Sequence, residues 1–298
     1  MQPVQLISAP SILGLKPTGV EKLGQSLLSH GLYQKLNVQH PIVNVPVLNS
    51  KYSFLRDVAT NCLNASAIRE FAIELAHHLT ISMDRNYFPL ILGGDCSILI
   101  GVMSALKLRG TYGLIFCDAH ADFYEPERSI TGEVADMDLA IVTGRDPELL
   151  SNIHDLRQYT RDEHVIHIGQ RDHEETKKYR SQDIRKTSIR CFDFNTIQKH
   201  GIESILEKVV HAIAHTEVEN FWLHFDTDVL SDEENPAVDY RLPGGVSVQQ
   251  FEKLLKGLLS TNRIIGMTVT IFNPHLDDKH GSVSKMLTGL ISRSFNRY

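Results

Sequence analysis

The chain is short of basic charge, long apolar runs and paired cysteines, and each shortage excludes a class of protein. Thirty Lys and Arg against 36 Asp and Glu leave a formal net charge of -6 at pH 7, which argues against nucleic-acid binding and favours a small-molecule partner. No apolar stretch approaches the roughly 20 residues of a membrane span, and no basic segment with a long apolar run opens the N-terminus. No membrane partner is expected, and the chain reads as cytoplasmic. Its four cysteines, Cys62, Cys96, Cys117 and Cys191, form no Cys-x-x-Cys pair and no dense framework, so reduced thiols are expected rather than disulfides. Internal repeats, low-complexity tracts and composition shifts are absent. Residues 1–298 are therefore read as a single domain with a sizeable core.

What the chain does contain is an alternation of strand-like apolar runs with amphipathic stretches, the pattern of a parallel sheet covered by helices on both faces. Strands are expected at 5–10 with its turn, 41–45, 88–92, 113–117, 164–168, 188–192, 221–225 and 263–271. Helices are expected at 19–32, ending near Gly31, and at 65–83, 98–108, 202–215 and 248–259. The tail, residues 291–298, reads either as a closing surface segment or as a contact with a neighbouring copy.

Two of these strands run into acid. Asp118-Ala119-His120-Ala121-Asp122 follows one and Asp226-Thr227-Asp228 the other. Residues i, i+2 and i+4 of a strand share a face, which would group Asp118, His120 and Asp122, and likewise Asp226 with Asp228. Four carboxylates and an imidazole are costly to bury alone, and two metal ions relieve that cost by coordination. Ligands of open parallel sheets collect at the carboxyl ends of the strands, where Gly93-Gly94-Asp95-Cys96-Ser97 also falls. Its glycines permit a tight turn. Cys96 is either a sixth ligand, as thiolate, or a buried structural thiol. Cys117 should face away from Asp118 and pack in the core.

These three motifs, in this order and spacing, resemble the metal-binding motifs of the arginase/agmatinase superfamily, the ureohydrolases. Ser8-Ala9-Pro10, Gly19-Val20-Glu21, Ile168-Gly169-Gln170-Arg171-Asp172, Asn235-Pro236-Ala237, Pro243-Gly244-Gly245-Val246-Ser247 and Phe272-Asn273-Pro274 extend the likeness over most of the chain. The resemblance implies an α/β fold, a three-layer α/β/α sandwich around an eight-stranded parallel sheet, with two divalent metal ions, usually Mn2+. It places one ion on Cys96, Asp118, Asp122 and Asp226, and the other on His120, Asp118, Asp226 and Asp228. A hydroxide bridging the two ions would attack a planar carbon such as that of a guanidinium. The implied reaction is hydrolysis of a linear amidine or guanidine C–N bond, and the implied assembly is a homo-oligomer, trimer or hexamer.

The chain also departs from the family pattern. Cys96 stands where a His ligand is usual, and its softer sulfur shifts preference toward Zn2+, Fe2+, Co2+ or Ni2+. Ala135 falls where arginases have a histidine proposed to shuttle protons. Ile271 replaces a glutamate that anchors the guanidinium. Asp122, Asp136 and Glu174 are then the catalytic candidates, and Glu133, Tyr240, Arg241 and His275 the candidate substrate-binding residues, with Arg241 available to a substrate carboxylate. Asp172 and Glu174 fit helix-capping acids equally well. The expected function is metal-dependent hydrolysis of an amidino, guanidino, formimino or ureido compound other than L-arginine. The alternative is a catalytically silent relative with a structural or regulatory metal site.

Overall fold

The computed structural model describes residues 2–47 and 51–295. Eight of the apolar runs become strands: β1 Val4–Ser8, β2 Val43–Asn44, β3 Phe88–Leu92, β4 Gly113–Cys117, β5 Val165–Ile168, β6 Arg190–Phe192, β7 Phe221–Asp226 and β8 Ile264–Thr270. They form one sheet in the order β2-β1-β3-β8-β7-β4-β5-β6, with every neighbouring pair parallel. β3, β4 and β7 are buried along their whole length, as strands covered on both faces must be.

Strand alternation divides the core into two layers. Leu6, Leu90, Ile115 and Leu223 pack on one side with the helices Ile202–Ala214, Val248–Ser260 and Ser282–Phe295. Ile7, Ile91, Phe116 and Trp222 pack on the other with Ala65–Asp84 and Ile98–Arg109. The architecture is the expected three-layer α/β/α sandwich. Ile98–Arg109 is buried on all sides over most of its length, because it is wedged against Ala65–Asp84. Gly101 allows that approach, since a Cβ there would lie 2.7 Å from the Ala72 carbonyl oxygen.

Two expectations fail for local reasons. The stretch 19–32 is not one helix: a 3-10 turn Val20–Lys22 leads into Leu23–Ser29, and Gly31 at φ 88 starts a separate turn, Leu32–Lys35. Ser282–Phe295 is a helix that the sequence reading did not foresee. It carries residues 291–295 into the core, with Leu287, Leu290 and Ile291 fully buried and the Phe295 ring 5.2 Å from that of Phe88. Apart from the exposed Arg293 these residues are core, not a surface tail; residues 296–298 lie outside the described part.

Sheet order fixes where the unusual side chains meet. β8 and β7 lie between β3 and β4, so the turns after β3, β7 and β4 converge at the carboxyl edge although far apart in sequence. Among the described residues no helix is long and apolar enough to cross a membrane.

Candidate metal centre

The turn after β3 is defined by a backbone contact. Gly94 does not need a positive φ; a Cβ on it would lie 1.8 Å from the Ser11 carbonyl oxygen, so the glycine is required by the close passage of the 9–15 loop. Asp95 ties the two together, accepting from the Ser11 hydroxyl at 2.8 Å and from the Ser97 N–H at 2.9 Å. This presents Cys96 to the centre. Its Sγ lies 2.9 Å from Asp226 Oδ2, 3.2 Å from Thr270 Oγ1 and 3.4 Å from His224 Nε2.

The acidic ligand candidates do not gather by strand alternation. β4 stops at Cys117 and residues 118–122 form a loop, in which Asp122 takes a left-handed φ of 46. Asp226 closes β7, while Asp228 lies in a 3-10 turn. Backbone donors fold each loop inward: the His120 N–H donates to Asp118 Oδ1 at 2.6 Å, the Asp228 N–H to Asp226 Oδ1 at 2.8 Å and the Ala119 N–H to Asp228 Oδ1 at 3.0 Å. The His120 ring then pairs with Asp228 Oδ2, with 2.8 Å from Nδ1. Around them the 168–172 motif serves as a brace. Arg171 donates to the Asp228 carbonyl at 2.7 Å, and Asp172 accepts from the Ala121 N–H at 3.0 Å.

Burial dominates the electrostatics. It raises Asp118 to about 7 and Asp122 and Asp226 well above the usual carboxylate range, with neighbouring carboxylates adding to the effect. Asp228 is the exception: burial acts to raise it, but the His120 charge and hydrogen bond together with Arg171 hold it at about 2. Burial likewise keeps the Cys96 sulfur a thiol. Buried carboxylate oxygens without a hydrogen-bond partner include Asp118 Oδ2 and Asp138 Oδ2.

Unpartnered carboxylate oxygens beside a buried thiol and imidazoles are the donor set a divalent cation completes. Three groups of donor atoms each lie within 4.8 Å of one another: Cys96, Asp118, His224 and Asp226; Cys96, Asp122 and Asp138; and Asp118, His120 and Asp228. All six sequence candidates fall within these groups. His224 and Asp138 were missed. His224 was read only as part of an apolar strand, although its spacing two residues before Asp226 puts both on one face of β7.

A cavity of about 260 Å³ opens onto His120, Asp122, Asp226 and Asp228. Ala135 and Ile271 both line it. Ile271 sits at φ 71, a conformation a β-branched residue adopts only under constraint from its surroundings. On another wall Tyr240 donates to Glu133 Oε2 at 2.9 Å, and Lys16 contacts the Tyr240 hydroxyl at 2.6 Å and Glu133 Oε1 at 3.3 Å. Asp136 also lines the cavity, its Oδ2 accepting from Ser129 and Thr131 hydroxyls while Oδ1 has no partner.

Three expectations for the cavity need correction. Glu174 is exposed and outside it, because the helix His173–Lys178 turns Glu175 to the cavity instead. His275 is also exposed and outside it, its Nδ1 hydrogen-bonded to the Thr18 carbonyl at 3.0 Å. Arg241 reaches the cavity but is held by both Asp232 oxygens at 2.6 and 3.0 Å, so it is not a free partner for a carboxylate. Asp172 precedes that helix without capping it. Cys117 is fully buried in the core, as expected.

A parallel α/β/α sandwich with carboxylates and imidazoles gathered at its carboxyl edge is the architecture of the ureohydrolase class. The chain belongs to the arginase family, whose model, described as "Arginase family", matches residues 6–295. It is 29% identical to an arginase of Staphylococcus aureus (strain MSSA476) over 302 residues, covering 96% of this chain and 94% of that protein. The solved arginase of Bacillus caldovelox superposes with a TM-score of 0.89 at 25% identity, covering 100% of this chain and 99% of that one. The formimidoylglutamase of Bacillus subtilis shares the fold at a TM-score of 0.76 and 16% identity, covering 99% and 86% of the two chains. Arginase-family proteins are hydrolases of C–N bonds and use a binuclear divalent metal centre, typically Mn2+.

The same electrostatics predict how stability responds to metal removal. A carboxyl whose folded pKa exceeds its unfolded value makes the folded state bind more protons, so stability falls as pH rises between the two. For Asp118 that window runs from about 4 to about 7. The chelator-stripped protein should therefore lose stability across it. Restoring metal at pH 8 should raise Tm by on the order of 10 °C, the shift a few kcal/mol of linkage produces, and by far less at pH 5. Calorimetry of stripped and reloaded protein at both pH values checks this; equal shifts at the two would contradict it.

Proposed function

We propose that this protein is a metal-dependent hydrolase of a linear C–N bond in an amidino, guanidino, formimino or ureido small molecule, and that L-arginine is not its preferred substrate. The observation that carries the reading is the cavity wall, where Ile271 and Ala135 face the space above the carboxylates. The family resemblance puts a guanidinium-anchoring glutamate and a histidine at those positions. Without that glutamate a guanidinium beside Ile271 lacks its ionised hydrogen-bond partner, a loss of about 1.5–3 kcal/mol.

Asp118, Asp122, Asp226, Asp228, His120 and Cys96 would hold the ions. Two divalent ions at these donors would supply a nucleophilic hydroxide near neutral pH and offset developing charge. The chain's own residues do the rest. The cavity orients the planar group over the carboxylate floor, and the Glu133, Tyr240 and Lys16 cluster offers a fixed polar wall to the other end of the substrate. Asp136, adjacent to Ala135, has a buried unpartnered oxygen and is the carboxyl best placed to receive and return a proton in place of the missing histidine. By resemblance the enzyme works as a homo-oligomer, a trimer or hexamer.

Urea and ammonia release from a panel of guanidino, amidino, formimino and ureido compounds tests the reading, using protein loaded separately with Mn2+, Zn2+, Fe2+, Co2+ or Ni2+. One compound should be turned over with kcat/KM at least about tenfold above that of L-arginine, the lower bound set by the missing charged hydrogen bond. L-arginine as the best substrate would refute the specificity. Two bound metals with no turnover of any compound would refute the hydrolase reading and leave a silent member with a structural or regulatory site.

A further inference from the structure

We propose that the ion on the Cys96 side is held by Cys96, His224, Asp118 and Asp226, so that the imidazole absent from position 96 is supplied by the adjacent strand. This rests on the metal-dependent reading above. His224 Nε2 is 3.4 Å from Cys96 Sγ, and Cys96 Sγ is 2.9 Å from Asp226 Oδ2. The four donor atoms lie within 4.8 Å of one another, and no residue of the four is more than 2% exposed.

Three observations give His224 the character of a ligand rather than a packing residue. Its Nδ1 is hydrogen-bonded to Thr268 Oγ1 at 2.8 Å, the outer partner that fixes a metal-binding imidazole, while Nε2 points at Cys96 Sγ and Thr270 Oγ1, each 3.4 Å away. Its ring stacks on Phe116 at 4.8 Å and an interplanar angle of 11°, which locks its direction. Asp118 Oδ2, in the same group, is fully buried and has no hydrogen-bond partner. Asp122, a ligand of this ion by resemblance, gathers instead with Cys96 and Asp138, and in the set assigned here His224 takes its place.

One sulfur, one nitrogen and two oxygens make a four-ligand set suited to Zn2+ or Co2+. The other side, where the resemblance puts Asp118, His120, Asp226 and Asp228, keeps only oxygen and nitrogen donors and suits Mn2+. The centre is then built for two different metals. On coordination the Cys96 thiol loses its proton to solvent; no oxidation is involved.

Co2+ titration of the chelator-stripped, full-length protein tests this independently of turnover. The wild-type protein should take up its first equivalent with a thiolate-to-cobalt charge-transfer band and the intense visible absorption of four-coordinate Co2+, and Zn2+ should displace it while Mn2+ should not. His224→Ala should weaken that first equivalent by at least about tenfold and dim the visible band, since losing a ligand costs no less than losing an outer-shell partner. Cys96→Ser should abolish the charge-transfer band. If His224→Ala fails to fold, His224→Asn, which can still reach Thr268, serves in its place with the same expected loss. Co2+ bound without a charge-transfer band, or His224 variants with wild-type affinity and spectrum, would overturn the proposal. Turnover without the band would sink this assignment and spare the hydrolase reading, and the band without turnover would do the reverse.

Discussion

The Asp226→Asn protein is expected to lose metal at both positions and at least about a thousandfold in turnover, the several kcal/mol of charge stabilisation a bound cation supplies. The resemblance makes Asp226 a shared ligand, and its two oxygens point to both sides of the centre: its Oδ2 faces Cys96, and its Oδ1 accepts the Asp228 N–H at 2.8 Å. An amide keeps that shape and the backbone contact but removes the charge that holds the ions. The stripped variant should nonetheless be as stable as stripped wild type or more so, because a carboxyl pushed well up by burial and by Asp228 and Asp118 has been neutralised. Elemental analysis, turnover and calorimetry of the metal-free forms together separate this outcome from simple misfolding. Two retained ions with a near wild-type rate would show that Asp226 is not the shared ligand.

Gly94→Ala is expected to be the most destabilising single-methyl change near the centre, costing more than about 4 kcal/mol or preventing folding. The added Cβ would stand 1.8 Å from the Ser11 carbonyl oxygen and 2.8 and 2.9 Å from the Ser11 C and N atoms, all main chain. Main chain cannot rotate aside as a side chain can. Relief requires moving the 9–15 loop, which the Asp95 contacts to Ser11 and Ser97 hold against the centre, so surviving protein should also bind metal poorly. Urea denaturation and metal content of the variant decide it, and a loss below about 1 kcal/mol would show that the loop is free to shift.

Much of this architecture is legible in the chain. β3 and β4 and the helices Ala65–Asp84, Ile98–Arg109, Ile202–Ala214 and Val248–Ser260 fall where periodicity puts them to within a residue, because long segments with a strong apolar pattern have one way to bury it. The helix Ser282–Phe295 lies outside the elements expected from the sequence. Its Leu287, Leu290 and Ile291 nevertheless carry helical spacing. In the centre the six acidic, histidine and cysteine candidates are visible as motifs, but the way they converge is not. Strand alternation does not gather them; left-handed backbone at Asp122 and inward-turned N–H donors do.

The sequence by itself determined the class: which segments are strands, which turns carry carboxylates, and that a thiol, an alanine and an isoleucine stand at positions where the family resemblance implies other chemistry. Those are local properties of composition and spacing. Only the tertiary structure decided which side chains share a centre. His224 and Cys96 are 128 residues apart, and they meet because β8 and β7 lie between β3 and β4, an order no local pattern encodes. The same packing turned Glu174 and His275 to solvent, tied Arg241 to Asp232 and left Asp138 in the interior with an unpartnered oxygen. Side-chain direction at a loop or helix end is set by what packs beneath it, so a site assembled from many turns is fixed only when the sheet closes.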